Sequence, residues 1–199
     1  MKNKKIVVFV KNAVPGKVKT RLAKTIGDQE ALEVYLRLLE ITKREVLKVD
    51  ANKEVWYAWD IGKDDIWEEE LFSKKIQIDG DLGEKMKNAF EDSFKNGCNK
   101  MVLIGSDCPT LTSKIMEEAF AKLDENDVVF GPSEDGGYYL IGMSSYKPEV
   151  LEEIDWSTER VMEQTELRAQ ENEIKLAKLQ MLNDIDNEHD WNEYLANLD

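Results

Sequence analysis

The sequence predicts an α/β fold in which one mostly parallel sheet is covered by helices on both faces. A continuous β-branched and aromatic run at residues 6–10 is typical of a strand that is buried on both faces. Predicted strands and helices then alternate along the rest of the chain. No glycine- or serine-rich linker, repeat or low-complexity segment divides the sequence, so we expect a single domain over residues 1–199.

The individual elements follow from the spacing of apolar residues. Short apolar runs predict strands at residues 6–10, 55–59, 75–78, 101–104, 127–130 and 138–143, and a last extended segment near residues 174–181. Helical spacing predicts helices at residues 29–48, 82–95 and 158–171, and a short one after residue 190. A further helix is expected to run from an N-cap at Thr112 to residue 123.

Composition is that of a soluble globular protein. Of the 199 residues, 42% are hydrophobic and 34% are charged, which excludes a disordered chain. The longest apolar run near the N-terminus, residues 6–10, is too short for a signal-peptide core or a membrane span, so we expect a cytoplasmic protein. Two cysteines and one histidine cannot supply the usual zinc site. A net charge of −14 argues against nucleic acid as the main partner.

Positive charge is concentrated near the N-terminus of this acidic chain. The first 24 residues contain no aspartate or glutamate and hold eight cations, which are Lys2, Lys4, Lys5, Lys11, Lys17, Lys19, Arg21 and Lys24. For Lys2, Lys4 and Lys5 we favour a solvated basic face. The cations from Lys11 onward follow the first strand, and sheets of this class bind ligands beyond the carboxyl ends of their strands.

The loop at residues 11–22 has the composition of a phosphate site. Lys11, Lys19 and Arg21 supply positive charge, and arginine can hold a phosphate with two hydrogen bonds. Gly16 allows backbone amides to approach a ligand closely. The segment matches neither a Walker P-loop nor a Gly-x-Gly-x-x-Gly dinucleotide loop. We favour phosphate binding here over an ordinary solvated loop.

Three later loops carry carboxylates, each with a structural alternative. Asp107 directly follows a buried strand, where it could ligate Mg²⁺ or Mn²⁺ or could cap the next helix. Glu134 and Asp135 lie between two strands, in what could also be a hairpin turn. Residues 184–190 are dense in oxygen ligands but lack the calcium-loop pattern, and on local grounds we favour a capped helix start.

Six ordered segments resemble a bacterial family of glycosyltransferase-A-fold proteins, long labelled as of unknown function and often described as glycosyltransferases. These segments span nearly the whole chain and are residues 11–22, 80–86, 105–109, 131–139, 155–158 and 184–190. The chain is similar, more distantly, to the guanylyltransferase that activates phospholactate and to molybdenum-cofactor nucleotidyltransferases. The resemblance implies a three-layer α/β/α sandwich with a mixed, mostly parallel sheet, which is the nucleotide-diphospho-sugar transferase fold.

The resemblance also implies roles for single residues. It places Asp107 and Asp186 at a divalent metal, Mg²⁺ or Mn²⁺. The remaining roles it implies are nucleotide or phosphate binding for Lys11, Gly16, Lys19, Arg21 and Gly83, catalysis for Asp135 or Glu134, and the acceptor side for Gly136, Gly137 and Trp156. The chain departs from the family pattern in having one carboxylate in residues 105–109, Lys85 where arginine is expected, and Asn187 where threonine is common.

Two reactions and one non-catalytic role fit these residues. A glycosyltransferase would take a nucleotide-sugar donor, and Asp135 or Glu134 would deprotonate a hydroxyl of a small-molecule acceptor. A nucleotidyltransferase would move a nucleoside monophosphate from a triphosphate to a phosphorylated small molecule, and the basic loop favours a triphosphate. The family resemblance places glycosyl transfer first. A nucleotide- or sugar-binding accessory module is the third hypothesis, because residues 105–109 hold a single carboxylate.

Overall fold

The computed structural model describes residues 4–63 and 65–198, so Lys2 lies outside the described residues. Within them the strands are β1 Lys4–Val10, β2 Asn52–Tyr57, β3 Ser73–Ile76, β4 Lys100–Ile104, β5 Val128–Pro132, β6 Tyr138–Met143 and β7 Leu176–Lys178. The α-helices are α1 Thr20–Ile26, α2 Asp28–Leu47, α3 Leu82–Lys95, α4 Ser113–Lys122, α5 Val161–Glu171 and α6 Glu188–Ala196. A 3₁₀ turn covers Pro148–Leu151.

The seven strands form one sheet in the order β3-β2-β1-β4-β6-β5-β7. Strand β6 runs antiparallel to both of its neighbours, β4 and β5. All the other pairs are parallel. The predicted mixed, mostly parallel sheet is therefore confirmed.

Helices cover both faces of this sheet, as the β-branched run in β1 predicted. Val8 and its alternate neighbours share a core with α2 and α4, whereas Val7 and Phe9 share a second core with α3 and α5. Side chains in a strand alternate between faces, so a strand with two buried faces needs an unbroken apolar run. The three-layer α/β/α arrangement is confirmed.

Helix α1 and the start of α5 were not predicted, and strands β2 and β3 lie two to three residues earlier than expected. Helix α1 occupies residues that we expected to be loop, and its seven residues offer only one fully buried position, Leu22. Helix α5 begins at Val161 rather than at residue 158. Residues 158–160 instead form a turn, in which the Val161 amide donates a hydrogen bond to the carbonyl oxygen of Thr158.

The expected solvated basic face is wrong for Lys5. Its side chain is buried, and its Nζ lies 2.6 Å from Glu54 Oε1 on the neighbouring strand β2. Lys4 places its Nζ 5.3 Å from the centre of the Phe120 ring. Lys5 and Glu54 neutralise each other, so Lys5 is not part of a surface that could attract a polyanion.

The topology brings the polar loops together. Strands β1, β4, β5 and β7 all end at one edge of the sheet, and β6 begins there. The loops at this edge are residues 11–19, 105–112, 133–137 and 179–187. No helix in the described part of the chain is long and apolar enough to span a membrane.

Candidate functional site

A cleft of about 630 Å³ opens at this edge of the sheet. Its volume is in the range of small-molecule sites. Eight of the twelve predicted site residues line it, namely Lys11, Lys19, Arg21, Asp107, Asp135, Gly137, Trp156 and Asp186. Residues that lie far apart in the sequence therefore converge on one cleft, as the predicted parallel sheet requires.

Lys19 is the most constrained cation of the cleft. Its side chain is only 4% exposed, and its Nζ lies 2.7 Å from Asp107 Oδ1. The same Nζ donates a hydrogen bond of 2.6 Å to the carbonyl oxygen of Ile185. Its backbone has a φ of 46°, an uncommon conformation for a residue with a side chain. The fold therefore holds this ammonium group at a fixed point between the basic loop and Asp107.

The segment 179–187 follows β7 and contacts the loop that contains Asp107. The amide of Ile185 donates a hydrogen bond of 2.9 Å to the carbonyl oxygen of Asp107. One residue later, Asp186 Oδ2 accepts a bond of 2.7 Å from Arg21, whose side chain is 70% exposed. These contacts place both predicted metal ligands, Asp107 and Asp186, beside the basic residues of the cleft.

Asp184 lines the same cleft, although it was not among the predicted site residues. Burial of its side chain, together with the negative charge of Asp107, raises the pKa of Asp184 to about 7. Asp135 and Asp186 add to this shift, whereas Lys19 opposes it. Asp184 is therefore a partly dehydrated carboxyl within reach of the negative charges of three other aspartates and of the positive charge of one lysine.

The basic loop, residues 11–19, is fixed at its start by a buried tyrosine of α2. Tyr35 accepts a hydrogen bond of 2.8 Å from the amide of Lys11 and donates one of 3.0 Å to its carbonyl oxygen. Tyr35 lies within the predicted helix at residues 29–48 and was not among the predicted site residues. The hydrogen bonds of the Tyr35 hydroxyl depend on how α2 packs beside the end of β1, which the helical spacing of apolar residues cannot predict.

Asp135 is held in place by its own loop, residues 133–137. Its Oδ1 accepts hydrogen bonds from the Ser133 hydroxyl and, at 3.0 Å, from the Gly137 amide. Gly136 has a φ of 86°, and a Cβ there would lie 2.0 Å from the carbonyl oxygen of Glu159. Glycine is therefore required where this loop supports the segment 156–161.

Four predicted residues are not among those lining the cleft. Glu134 is exposed beside Asp135, and Gly136 lies beneath the backbone of Glu159. The remaining two are Gly16, beside Asp28, and Gly83, buried against the Trp156 indole. Gly16 is exposed and has a φ of 71°, a conformation that favours glycine, whereas Gly83 allows close packing of the Trp156 ring.

Residues 184–190 combine the cleft and the helix cap that we considered as alternatives. The Asn187 side chain accepts hydrogen bonds from the amides of His189 and Asp190 at the start of α6. In return, Asp190 Oδ2 accepts from the amides of Asp186 and Asn187. The local preference for a helix start is correct, and the same cap fixes Asp186 at the cleft.

Replacing Asn187 by alanine should lower the free energy of unfolding by about 1 kcal/mol, because the first amides of α6 lose their acceptor. For a chain of this length the thermal midpoint should fall by roughly 2–4 °C. Urea and thermal denaturation measure both values. Asn197→Ala is the matched control at the other end of α6, where the backbone of Asn197 makes the cap bond. Equal midpoints for the two variants would contradict the prediction.

Comparisons with known proteins agree with the fold. Over residues 41–158, the sequence matches the family described as uncharacterized protein conserved in bacteria (DUF2064). A search of curated proteins finds no significant match. A crystal structure from Desulfovibrio desulfuricans G20, provisionally named a nucleotide-diphospho-sugar transferase, is 31% identical with a TM-score of 0.86. The match covers 94% of this chain and 84% of that chain.

Two further solved structures share the fold at lower identity. CMP:2-keto-3-deoxy-manno-octonic acid synthetase, complexed with CTP, is 14% identical with a TM-score of 0.55 and 98% coverage of both chains. The 4-diphosphocytidyl-2C-methyl-D-erythritol synthase of Anaerococcus prevotii DSM 20548 is 11% identical with a TM-score of 0.61, covering 98% of this chain and 96% of that one. The fold is that of the nucleotide-diphospho-sugar transferases, and because the family match spans more than half of the sequence, the chain belongs to the bacterial family DUF2064.

Proposed function

We propose that this protein is a nucleotide-dependent transferase that moves a sugar from a nucleotide-sugar to a hydroxyl group of a small acceptor. One observation carries the proposal, namely the unequal chemistry of the two sides of the cleft. The cations come from the basic loop and the start of α1, whereas loop 133–137 and the segment 156–161 contribute carboxylates, hydroxyls and aromatic rings. In the sheet order, Asp107 of the β4 loop lies between these two sides.

The donor diphosphate belongs on the basic side. Lys19 is fixed beside Asp107, and Arg21 has an exposed guanidinium that can turn from Asp186 toward a phosphate. Positive groups that are already in place stabilise the charge of a departing nucleoside diphosphate without reorganisation during the reaction. The provisional name of the 31% identical relative supports the same donor class.

Asp107 and Asp186 are the residues that we propose would hold Mg²⁺ or Mn²⁺. Both residues line the cleft and supply carboxylate oxygens, which these hard cations prefer. The described residues contain no ready cluster of three or more His, Cys, Asp or Glu ligands. Two carboxylates with phosphate oxygens and water are nevertheless a common magnesium set. When bound, the cation would neutralise charge on the diphosphate.

Asp135 is the residue that we assign as general base. Both of its hydrogen bonds from the loop fall on Oδ1, which fixes the carboxylate and leaves Oδ2 to receive the proton. As the acceptor O–H proton moves to Oδ2, the acceptor oxygen forms a bond to the anomeric carbon. The bond from that carbon to the diphosphate oxygen breaks, and the nucleoside diphosphate leaves.

Nucleotidyl transfer is the second candidate, because three cations at one side of the cleft also suit a triphosphate. Its acceptor would carry a phosphate, however, and that phosphate would have to enter the side that holds Asp135 and Glu159. These carboxylates would repel the phosphate of such an acceptor, so the arrangement favours an acceptor hydroxyl.

The test is a panel of UDP-, GDP-, ADP- and dTDP-sugars and the four ribonucleoside triphosphates, each with Mn²⁺ or Mg²⁺. Release of a nucleoside diphosphate from a nucleotide-sugar is the expected result, and slow hydrolysis of the donor should be visible without an acceptor. Release of pyrophosphate from a triphosphate, with no sugar donor consumed, would favour nucleotidyl transfer instead.

Replacing Asp135 by asparagine should lower kcat about 10²–10⁴-fold, since removal of a general base has effects of this size. Donor affinity should change little, because asparagine retains an oxygen for Ser133 and Gly137. Glu134→Gln is the matched control in the same loop, where the side chain is exposed outside the cleft. If Glu134→Gln lowers kcat and Asp135→Asn does not, the assignment of the base is wrong.

A further inference from the structure

Trp156 lies in a notch that only glycine can provide. A Cβ on Gly83, in the first turn of α3, would lie 2.5 Å from the indole Nε1 and 2.7 Å from two carbons of the ring. Contacts this short do not occur in proteins, so alanine at position 83 must displace the ring. Gly83 therefore sets the position of an indole that lines the cleft.

Two further aromatic rings fix the tilt of this indole. Trp156 meets the Tyr138 ring edge to face, with centroids 6.5 Å apart and an interplanar angle of 85°. Tyr138 in turn meets Phe130 of β5, with centroids 4.9 Å apart. Edge-to-face pairs hold rings in defined orientations, and Phe130 is anchored in the core beneath the sheet edge. The Trp156 indole is thus packed against both Gly83 and Tyr138, and we refer to it below as the platform.

Polar groups surround the platform. Ser157, Thr158 and Glu159 follow it in the chain and line the cleft together with Asp135. Among the described lining residues, the cations all belong to the opposite side. Arg160 is outside the lining and is paired with Asp155. The platform therefore faces hydrogen-bond acceptors and negative charge, in a protein whose net charge is already −14.

We propose that the indole of Trp156 is the acceptor platform and that the acceptor is an uncharged, ring-containing hydroxyl compound, namely a sugar or a glycoside. This inference rests on the proposed function and adds the class of its second substrate. The face of a sugar ring that carries C–H groups packs on an aromatic surface, and the hydroxyls of the ring can donate hydrogen bonds to Asp135 and Glu159. An acceptor that carries a phosphate ester or a carboxylate would bring further negative charge beside Asp135 and Glu159, so it should bind poorly.

The acceptor class is tested with a donor that the protein binds, by adding methyl glycosides of glucose, galactose, mannose and ribose, and separately the corresponding sugar phosphates. Nucleoside diphosphate release should rise above donor hydrolysis with at least one neutral glycoside, and should not rise with the phosphates. Stimulation by a sugar phosphate equal to that by a glycoside, or no stimulation by any glycoside, would overturn the inference. A protein that neither binds nor consumes any nucleotide-sugar would instead contradict the proposed function.

The platform is tested with Trp156→Ala and Gly83→Ala, each of which should raise the acceptor KM at least about tenfold, the range seen when a central aromatic contact is removed. The double variant should be no worse than Trp156→Ala, because the methyl group added at position 83 then has no ring to displace. Trp59→Ala, at an exposed tryptophan outside the cleft, is the matched control and should leave the acceptor KM unchanged. An additive loss in the double variant, or an unchanged KM in Trp156→Ala, would overturn the assignment.

Discussion

Replacing Asp107 by asparagine is expected to abolish the metal-dependent part of nucleotide binding. Asp107 contributes the carboxylate nearest to Lys19 at the centre of the cleft, and a neutral amide is a far poorer ligand for Mg²⁺ or Mn²⁺. A ligand at 100 times its dissociation constant adds about 2.7 kcal/mol of stability. For a chain of this length that corresponds to roughly 5–10 °C in thermal midpoint, which the variant should lose.

Asparagine is a better test than alanine at this position. Lys19 is buried, and alanine would remove one of its two partners, whereas asparagine retains an oxygen that can accept from Nζ. The Asp107 side chain is 44% exposed, so the fold should tolerate the change. Asp124→Asn, at an exposed carboxylate paired with Lys100, is the control for loss of one negative charge. A metal-dependent shift of wild-type size in Asp107→Asn would show that the metal site is elsewhere.

Replacing Lys19 by methionine is expected to weaken nucleotide binding about ten- to a hundredfold. Hydrogen bonds to charged groups contribute about 1.5–3 kcal/mol, and the ammonium of Lys19 is already positioned when the phosphate arrives. Methionine nearly matches the length of the apolar part of the side chain, so the buried volume changes little. The measurement is calorimetric titration with the nucleotide that binds best to the wild type.

The control for Lys19→Met is Lys17→Met in the same basic loop. Lys17 is exposed and does not line the cleft, so loss of its charge should weaken binding by less than the loss of the fixed ammonium of Lys19. Equal effects of the two variants would mean that the loop acts only through its net charge. In that case the buried contact of Lys19 with Asp107 would have no special part in phosphate binding.

Much of the fold could be predicted because its signals are local. The run in β1 required two covered faces, and the boundaries of α3 and β6 agree with the apolar spacing at residues 82–95 and 138–143. The cations of residues 11–22 and Asp107 could be placed together because the parallel strands β1 and β4 are neighbours and end at the same edge.

The features that the sequence did not reveal depend on contacts between distant residues. Lys5 was expected at the surface, and only the pairing of β1 with β2 brings it to Glu54. Gly83 resembled part of a ligand loop, whereas its lack of a side chain makes room for Trp156, which lies far along the chain. Asp184 could not be distinguished from the other carboxylates of its segment by sequence, because its raised pKa depends on burial in the folded protein.

The proposed role of Lys19, Asp107 and a divalent cation is to hold a nucleotide-sugar in the cleft. It is tested most directly by calorimetric or thermal-shift titration of the wild-type protein with nucleotide-sugars and nucleoside triphosphates, with and without Mn²⁺. We expect one nucleotide-sugar to bind best, and its binding to be lost both on removal of Mn²⁺ and in Asp107→Asn. Preference for a triphosphate would favour nucleotidyl transfer, and the lack of any response to either class of nucleotide would show that the cleft is not a nucleotide site.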